Sequence, residues 1–88
     1  MRVDIMNGTI VAINRNLGAV VVETQNHRCV LLEASGLMPF TIGETIEGAW
    51  DQPGEIILQN PATGAHIYAR VQKINATRSE AVGSMTVF

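Results

Sequence analysis

The sequence predicts a small all-β domain that closes into a barrel. Three observations support this prediction. Short apolar runs rich in β-branched residues recur along the chain, clusters of Gly, Pro and Asn separate them, and no segment has the period of a long helix. With only 88 residues, the chain is expected to form one domain. Closing its sheet into a barrel would leave few strand edges to protect.

Each apolar run ends at a turn signal. The runs lie at residues 9–13, 19–24, 29–33, 45–50, 55–59 and 65–74. Between the first two runs, Asn14 and Gly18 are residues that tolerate the positive φ of a tight turn. Gly36 and Pro39 leave room for at most one helical turn. The segment 34–40 is therefore predicted to be a crossover between the third and fourth strands, and no helix of normal length is predicted anywhere.

The C-terminal tail, residues 76–88, follows a barrel domain expected to span residues 1–75. It mixes Ser, Gly and Glu with a closing apolar sequence, MTVF, at residues 85–88. The composition leaves two outcomes open: the tail frays in solvent, or its last apolar residues pack on the barrel.

Charge and cysteine content limit the classes of function and location. The formal net charge is -2 and the six Lys and Arg residues are scattered, which argues against tight binding of phosphates. The start of the chain has an acidic residue and no apolar run, so no secretory signal is expected. No stretch approaches the roughly 20 apolar residues of a membrane span, so no membrane partner is expected. Cys29 is the single cysteine and excludes an internal disulfide, which fits a cytoplasmic location.

The sequence carries no signature of catalysis. It has no Gly-rich phosphate loop, no paired-carboxylate motif and no nucleophile elbow, so we expect a binding module that is not an enzyme and has no cofactor. A metal site needs about four ligands, or three and a water. His27, Cys29 and His66 are the only plausible soft ligands and their spacing matches no known pattern. No metal site is therefore expected, and Cys29 is better interpreted as a small buried apolar residue.

The order of the motifs resembles the cold-shock domain, a compact OB barrel that binds single-stranded nucleic acid. The sequence GTIV at residues 8–11 is similar to that family's opening Gly-Lys-Val strand, and the spacing of Asn14 and Gly18 matches its Asn-x-x-x-Gly turn. Residues 41–46 are similar to the start of its fourth strand, and residues 69–74 to its closing strand. The resemblance covers residues 7–75 and implies a five-stranded, cold-shock-like barrel of the OB type.

The resemblance also implies a ligand class, single-stranded RNA or DNA. The family stacks bases on aromatic residues of strands two and three, where this chain has Gly-Ala-Val-Val at residues 18–21 and Cys-Val-Leu-Leu-Glu at residues 29–33. Stacking contributes about 1–3 kcal/mol per base, so its absence there predicts weak binding. The candidate contact residues are Arg15, Arg28, Tyr68, Arg70 and Lys73.

An aliphatic face replaces the aromatic one. Neighbouring residues of a strand point to opposite sides, so Ala19 and Val21 share one side of their strand, as Val30 and Leu32 do of theirs. The resemblance places both pairs outside the barrel. Because contiguous exposed apolar area usually marks a contact, we expect a second copy, a protein partner or the tail to cover them. The alternative function is therefore a protein-interaction or self-association domain.

Trp50 and Tyr68 are the two large aromatic residues of the predicted strands. An exposed aromatic side chain could stack a base or anchor a partner. For Trp50 we favour a place in the core, because tryptophan buries so much apolar area.

Overall fold

A computed structural model of the chain describes residues 5–34, 38–51 and 54–86. Over these residues the chain forms a closed antiparallel barrel of six strands and one short helix. The elements are β1 (Met6–Asn14), β2 (Ala19–Thr24), β3 (Cys29–Ala34), β4 (Thr45–Gly48), β5 (Gly54–Gln59), β6 (His66–Ala76) and α1 (Arg78–Thr86). The predicted β-barrel is confirmed, whereas the predicted number of five strands is wrong.

The sixth strand is present because the predicted runs at residues 45–50 and 55–59 form two separate strands, with β4 ending at Gly48 and β5 beginning at Gly54. Gly54 has a φ of 122°, which side chains other than glycine rarely permit. The count matters for topology, because only an even number of strands lets every neighbour in a closed ring be antiparallel. All six neighbouring pairs are antiparallel here.

The strands follow the order β1-β2-β3-β6-β5-β4 around the barrel, and β4 closes it against β1. β1, β2 and β3 form a meander, and the chain then crosses to place β4 beside β1, which is a Greek key. The crossover predicted at residues 34–40 lies in this connection. In its described part, Met38 and Phe40 are buried in the core.

The main core fills the barrel around Trp50, which is 1% exposed and is the largest of its fully buried side chains. Two glycines give the indole its space. A Cβ at Gly48 would lie 2.9 Å from Trp50 Cε3, and one at Gly8 would lie 3.3 Å from Trp50 Cζ2 and collide with Val22 Cγ1. Trp50 thus occupies the core position favoured from the sequence.

A second apolar cluster lies outside the barrel, under α1. The strands contribute Ala19, Val21, Cys29, Leu31 and Ala76, and the helix contributes Ala81 and Met85. The sequence did not predict this helix. Its residues have no clear apolar face, and Gly83 lies in its middle. Tertiary contact with the exposed side of the sheet therefore stabilises it more than its own propensity does.

The expected outward orientation of Val30 and Leu32 is wrong, although that of Ala19 and Val21 is right. In an antiparallel ladder, directly paired residues lie on the same face. Val21 pairs with Leu31, whereas Val20 pairs with Leu32. Val30 and Leu32 consequently belong to the core inside the barrel, and Leu31 belongs to the outer cluster.

This register predicts opposite outcomes for two adjacent substitutions. Leu32→Glu would bury an unpaired carboxylate inside the barrel, and we expect it to unfold the domain, since such a change costs several kcal/mol. Leu31 faces α1. In the Leu31→Glu variant the helix can move away and admit water to the new carboxylate. We expect this variant to keep the β-sheet signal in far-UV circular dichroism and to lose the small helical contribution. A folded Leu32→Glu protein would contradict the register.

Candidate functional site

Helix α1 is fixed at both ends over the outer face of β1, β2 and β3. At its start, the Glu80 N–H donates to Thr77 Oγ1 at 3.1 Å, and the Thr77 N–H donates to Glu80 Oε1 at 3.0 Å. This reciprocal pair is a capping box. At its end, Asn14 Nδ2 donates to the Met85 carbonyl at 3.3 Å. Arg78 also forms an ion pair with Glu23 of β2, with 3.4 Å between Nη2 and Oε2.

Because α1 lies there, Ala19 and Val21 are not available to another molecule. Of the three expected occupants of this face, the structure places residues 78–86 of the tail on it. Val87 and Phe88 lie outside the described residues. The helix also encloses Cys29, and burial, together with the nearby Glu23 carboxylate, raises the pKa of that thiol. Cys29 is therefore an unreactive packing residue while α1 is docked.

The capping box depends on pH. The bonds that Glu80 forms with the Thr77 backbone and side chain lower the pKa of its carboxyl. A lowered pKa means that this stabilisation is present above the ordinary glutamate pKa of about 4.3. It is lost as the pH falls through the lower value that the folded protein has. Acid below that value therefore weakens the start of α1.

Three of the five candidate contact residues lie on the outward side of β6. Simple alternation would place Tyr68 and Arg70 on one side and Lys73 on the other. However, Leu32 pairs with Val71 while Leu31 pairs with Lys73, so β6 has one extra residue at Gln72. This bulge returns Lys73 to the outer side. Tyr68, Arg70 and Lys73 therefore form one outward row, which we call the β6 row.

Tyr68 is the most exposed side chain of this row, at 68%. Its direct partner on β5 is Ile57, which is 49% exposed. The two side chains lie on the same outer face and present an aromatic ring beside an aliphatic group. Sequence reasoning missed Ile57. The signal that could have identified it is the hairpin between β5 and β6, whose register pairs residues 57 and 68.

An acidic residue lies beside Arg70 on each of the two neighbouring strands. It pairs with Glu55 on β5 and with Glu33 on β3, and its Nη2 lies 3.5 Å from Glu55 Oε1. Arg70 and Glu55 are both well exposed, so this ion pair contributes little to stability and opens easily. A groove of about 370 Å³ follows the same residues, lined by Glu33, Glu55, Tyr68 and Arg70.

The structure does not bring Arg15 and Arg28 into the β6 row. Arg15 lies in the turn after β1, where its Nη1 donates to the Met38 carbonyl at 2.8 Å and its Nη2 to the Phe40 carbonyl at 2.7 Å. These two hydrogen bonds therefore hold residues 38–40 of the crossover against the turn after β1. Arg28 lies before β3, and its Nε donates to Asn75 Oδ1 at 3.1 Å.

Comparisons of the chain with protein-family models, with curated proteins and with solved structures found no match. Residues 5–34, 38–51 and 54–86 contain no group of three His, Cys, Asp or Glu side chains placed to hold a metal ion. In the same part of the chain, no helix has the length and apolar character needed to cross a membrane.

The capping box predicts how α1 controls access to Cys29. Removing the hydroxyl with Thr77→Ala should weaken the helix start by about 1 kcal/mol. We expect faster modification of Cys29 by a thiol reagent as α1 opens more often. Ser79→Ala, two residues away on the exposed side of the helix, is the matched control and should leave the rate unchanged. Equal rates of Cys29 modification in the two variants would contradict the inference that α1 shields this thiol from solvent.

The two carbonyl contacts of Arg15 predict a structural role for this side chain. Arg15→Ala removes two charge-assisted hydrogen bonds to the crossover, and we expect a loss of about 1–3 kcal/mol in the free energy of unfolding. Arg28→Ala removes a single exposed bond and should cost less than about 0.5 kcal/mol. Urea titration of both variants measures the two free energies of unfolding. Equal values would contradict the structural role of Arg15.

Proposed function

We propose that this domain is a non-enzymatic binding module that binds single-stranded nucleic acid weakly along the β6 row. The observation that carries the proposal is the bulge at Gln72, because it adds Lys73 to the side of β6 that already presents the exposed Tyr68 and Arg70. An aromatic platform beside positive charge is the combination used by proteins that bind single strands.

Each side chain of the row has a separate task in this proposal. The Tyr68 ring offers a face for stacking one base, which contributes about 1–3 kcal/mol. Arg70 and Lys73 contact phosphates. Arg70 must first leave Glu55, and this step costs little because the pair is exposed.

Three features limit the affinity. The chain has a net charge of -2, Glu33 and Glu55 flank Arg70, and the row offers one aromatic ring. We therefore expect dissociation constants in the range of about 10⁻⁴–10⁻⁶ M or weaker near physiological salt, typical of non-specific binding.

The proposal includes a cold-shock-like barrel of the OB type, with two departures. The ordered motifs of residues 7–75 support it, and so does the turn at Gly18, which has a φ of 69°. The first departure is the sixth strand, because a closed ring of five strands must contain at least one parallel pair. The second is the binding surface, since α1 covers the outer face of β2 and β3.

A second candidate function is protein interaction, and the Ile57–Tyr68 pair favours it. The two exposed apolar side chains are adjacent, and Arg70 lies two residues further along the same face of β6. Tyr and Arg are enriched among the residues that dominate protein interfaces. This surface differs from the aliphatic face expected on strands two and three, which is covered.

Salt dependence distinguishes the two functions. We expect a fluorescently labelled, mixed-sequence single strand to bind with an affinity that falls as salt rises, with a slope near -1.4 in log K against log salt for two phosphate contacts. Tyr68→Ala should weaken binding about 5–150-fold without changing the slope. Arg70→Ala should halve the slope.

The matched control is Ile42→Ala, which truncates an exposed apolar side chain in the turn before β4 and should bind as the unmodified protein does. If no binding is detected even at low salt, the nucleic-acid proposal fails. Tyr68 would then be tested as a contact for protein.

A further inference from the structure

Helix α1 is joined to the barrel by a very short connection. β6 ends at Ala76 and α1 begins at Arg78, so Thr77 is the single residue between them. Just before this connection, Asn75 has a φ of 57°, which residues other than glycine adopt uncommonly. The Asn75 Oδ1 atom accepts a hydrogen bond from Arg28 Nε, which supports this bend. The turn that brings α1 back over the sheet therefore depends on an unfavourable backbone conformation.

The ring of strands closes without α1. It consists of β1 to β6, and the helix lies outside it. In the described part of the helix, Ala81, Val82 and Met85 pack on the outer apolar cluster, and the Met85 carbonyl accepts a hydrogen bond from Asn14. The helix can therefore leave its site while the strands stay paired. The outer face would then expose contiguous apolar area, which favours association with another surface.

The site under α1 matches the helix in charge as well as in apolar contacts. Arg78 Nη2 lies 3.4 Å from Glu23 Oε2 on β2. The capping box of Thr77 and Glu80 is formed within residues 77–80 and moves with the helix. Helix α1 of a second copy brings the same apolar side chains, the same cation and the same cap. It would therefore form the contacts that the chain's own helix forms.

We propose that α1 exchanges between two copies of this chain, so that each helix covers the outer face of β1, β2 and β3 of the other copy. In the exchanged dimer, residues 75–77 straighten and the positive φ of Asn75 is replaced by extended backbone. Short hinges under strain favour such an exchange. The inference does not rest on nucleic-acid binding at the β6 row, because neither Tyr68 nor Arg70 belongs to the outer cluster.

Sedimentation equilibrium of the unmodified protein measures the exchange. A reducing buffer prevents Cys29 from linking two copies by a disulfide. Because a short tether holds its ends at an effective concentration in the millimolar range, we expect a reversible monomer–dimer equilibrium with a Kd of about 1 mM or lower. A protein that remains monomeric up to that concentration would overturn the proposal.

Substitutions at Asn75 test the hinge. Asn75→Val disfavours a positive φ and should favour the exchanged dimer, whereas Asn75→Gly permits it and should favour the closed monomer. Both variants lose the bond to Arg28, so their comparison isolates the backbone effect. We expect the Val variant to dimerise at least about tenfold more tightly than the Gly variant. Equal Kd values would contradict exchange through this hinge.

His27 provides the matched control for the hinge. It has a φ of 62° and lies between β2 and β3, outside residues 75–77. His27→Val and His27→Gly make the same changes in backbone preference as the two Asn75 variants. We expect these two proteins to dimerise with equal Kd values. A difference as large as that between the Asn75 variants would show that the hinge is not the origin of the effect.

Charge reversal identifies the surface that the dimer uses. Glu23→Arg and Arg78→Glu each place like charges between α1 and its own sheet. In an exchanged heterodimer of the two variants, an ion pair forms at both sites. Native mass spectrometry of an equimolar mixture should therefore detect about tenfold more heterodimer than the two homodimers together. A statistical mixture, in which the heterodimer equals the sum of the homodimers, would show that the copies meet elsewhere and would overturn the proposal. Oligonucleotide binding is measured separately, so either result leaves the test of the β6 row unaffected.

Discussion

The apolar residues of β2 and β3 point to both faces of the sheet, and a barrel interior covers only one of them. Val20, Val22 and Leu32 fill the inside, while Val21 and Leu31 lie on the outside. An uncovered outer row would expose contiguous apolar area, at about 25 cal/mol per Å². Among the described side chains of α1, Ala81, Val82 and Met85 meet this requirement. Its weak intrinsic tendency to be helical is sufficient because the sheet supplies the surface on which it folds.

This cover determines where a ligand can bind. Helix α1 lies over the outer face of β1, β2 and β3. Among the described strands, β5 and most of β6 have an outer face that α1 does not cover. There β6 alternates, with Ala69 and Val71 inside and Tyr68 and Arg70 outside. Tyr68 and Ile57 are exposed on this outer side, beside the ion pair of Arg70 and Glu55. The exposed aromatic ring of Tyr68 is therefore on β6 and not on β2 or β3, where we looked for a stacking platform in the sequence.

The sequence predicted the barrel because strand periodicity and turn residues are local properties. The bounds of β2 match the predicted run at residues 19–24. The position of Trp50 in the core followed from its size. The orientation of Val30 and Leu32 could not be obtained in the same way, because β3 is apolar on both sides and alternation alone does not tell inside from outside. The helix was missed because its stability comes from tertiary contacts.

The irregular end of β6 determines which of its side chains face outward. Between Val71 and Ala76, β6 has one extra residue opposite Leu31 and Leu32, and another opposite Leu31 and Cys29. The first turns Lys73 outward into the β6 row. The second, where Asn75 adopts a positive φ, returns Ala76 to the outer cluster under α1. A regular strand would have divided Arg70 and Lys73 between two faces. Bulges are frequent at barrel rims and beside binding sites because they redirect side chains without breaking the sheet. The departures of β6 from regular pairing therefore give one strand both an outward row of polar and aromatic side chains and a contact with the helix that covers the neighbouring strands.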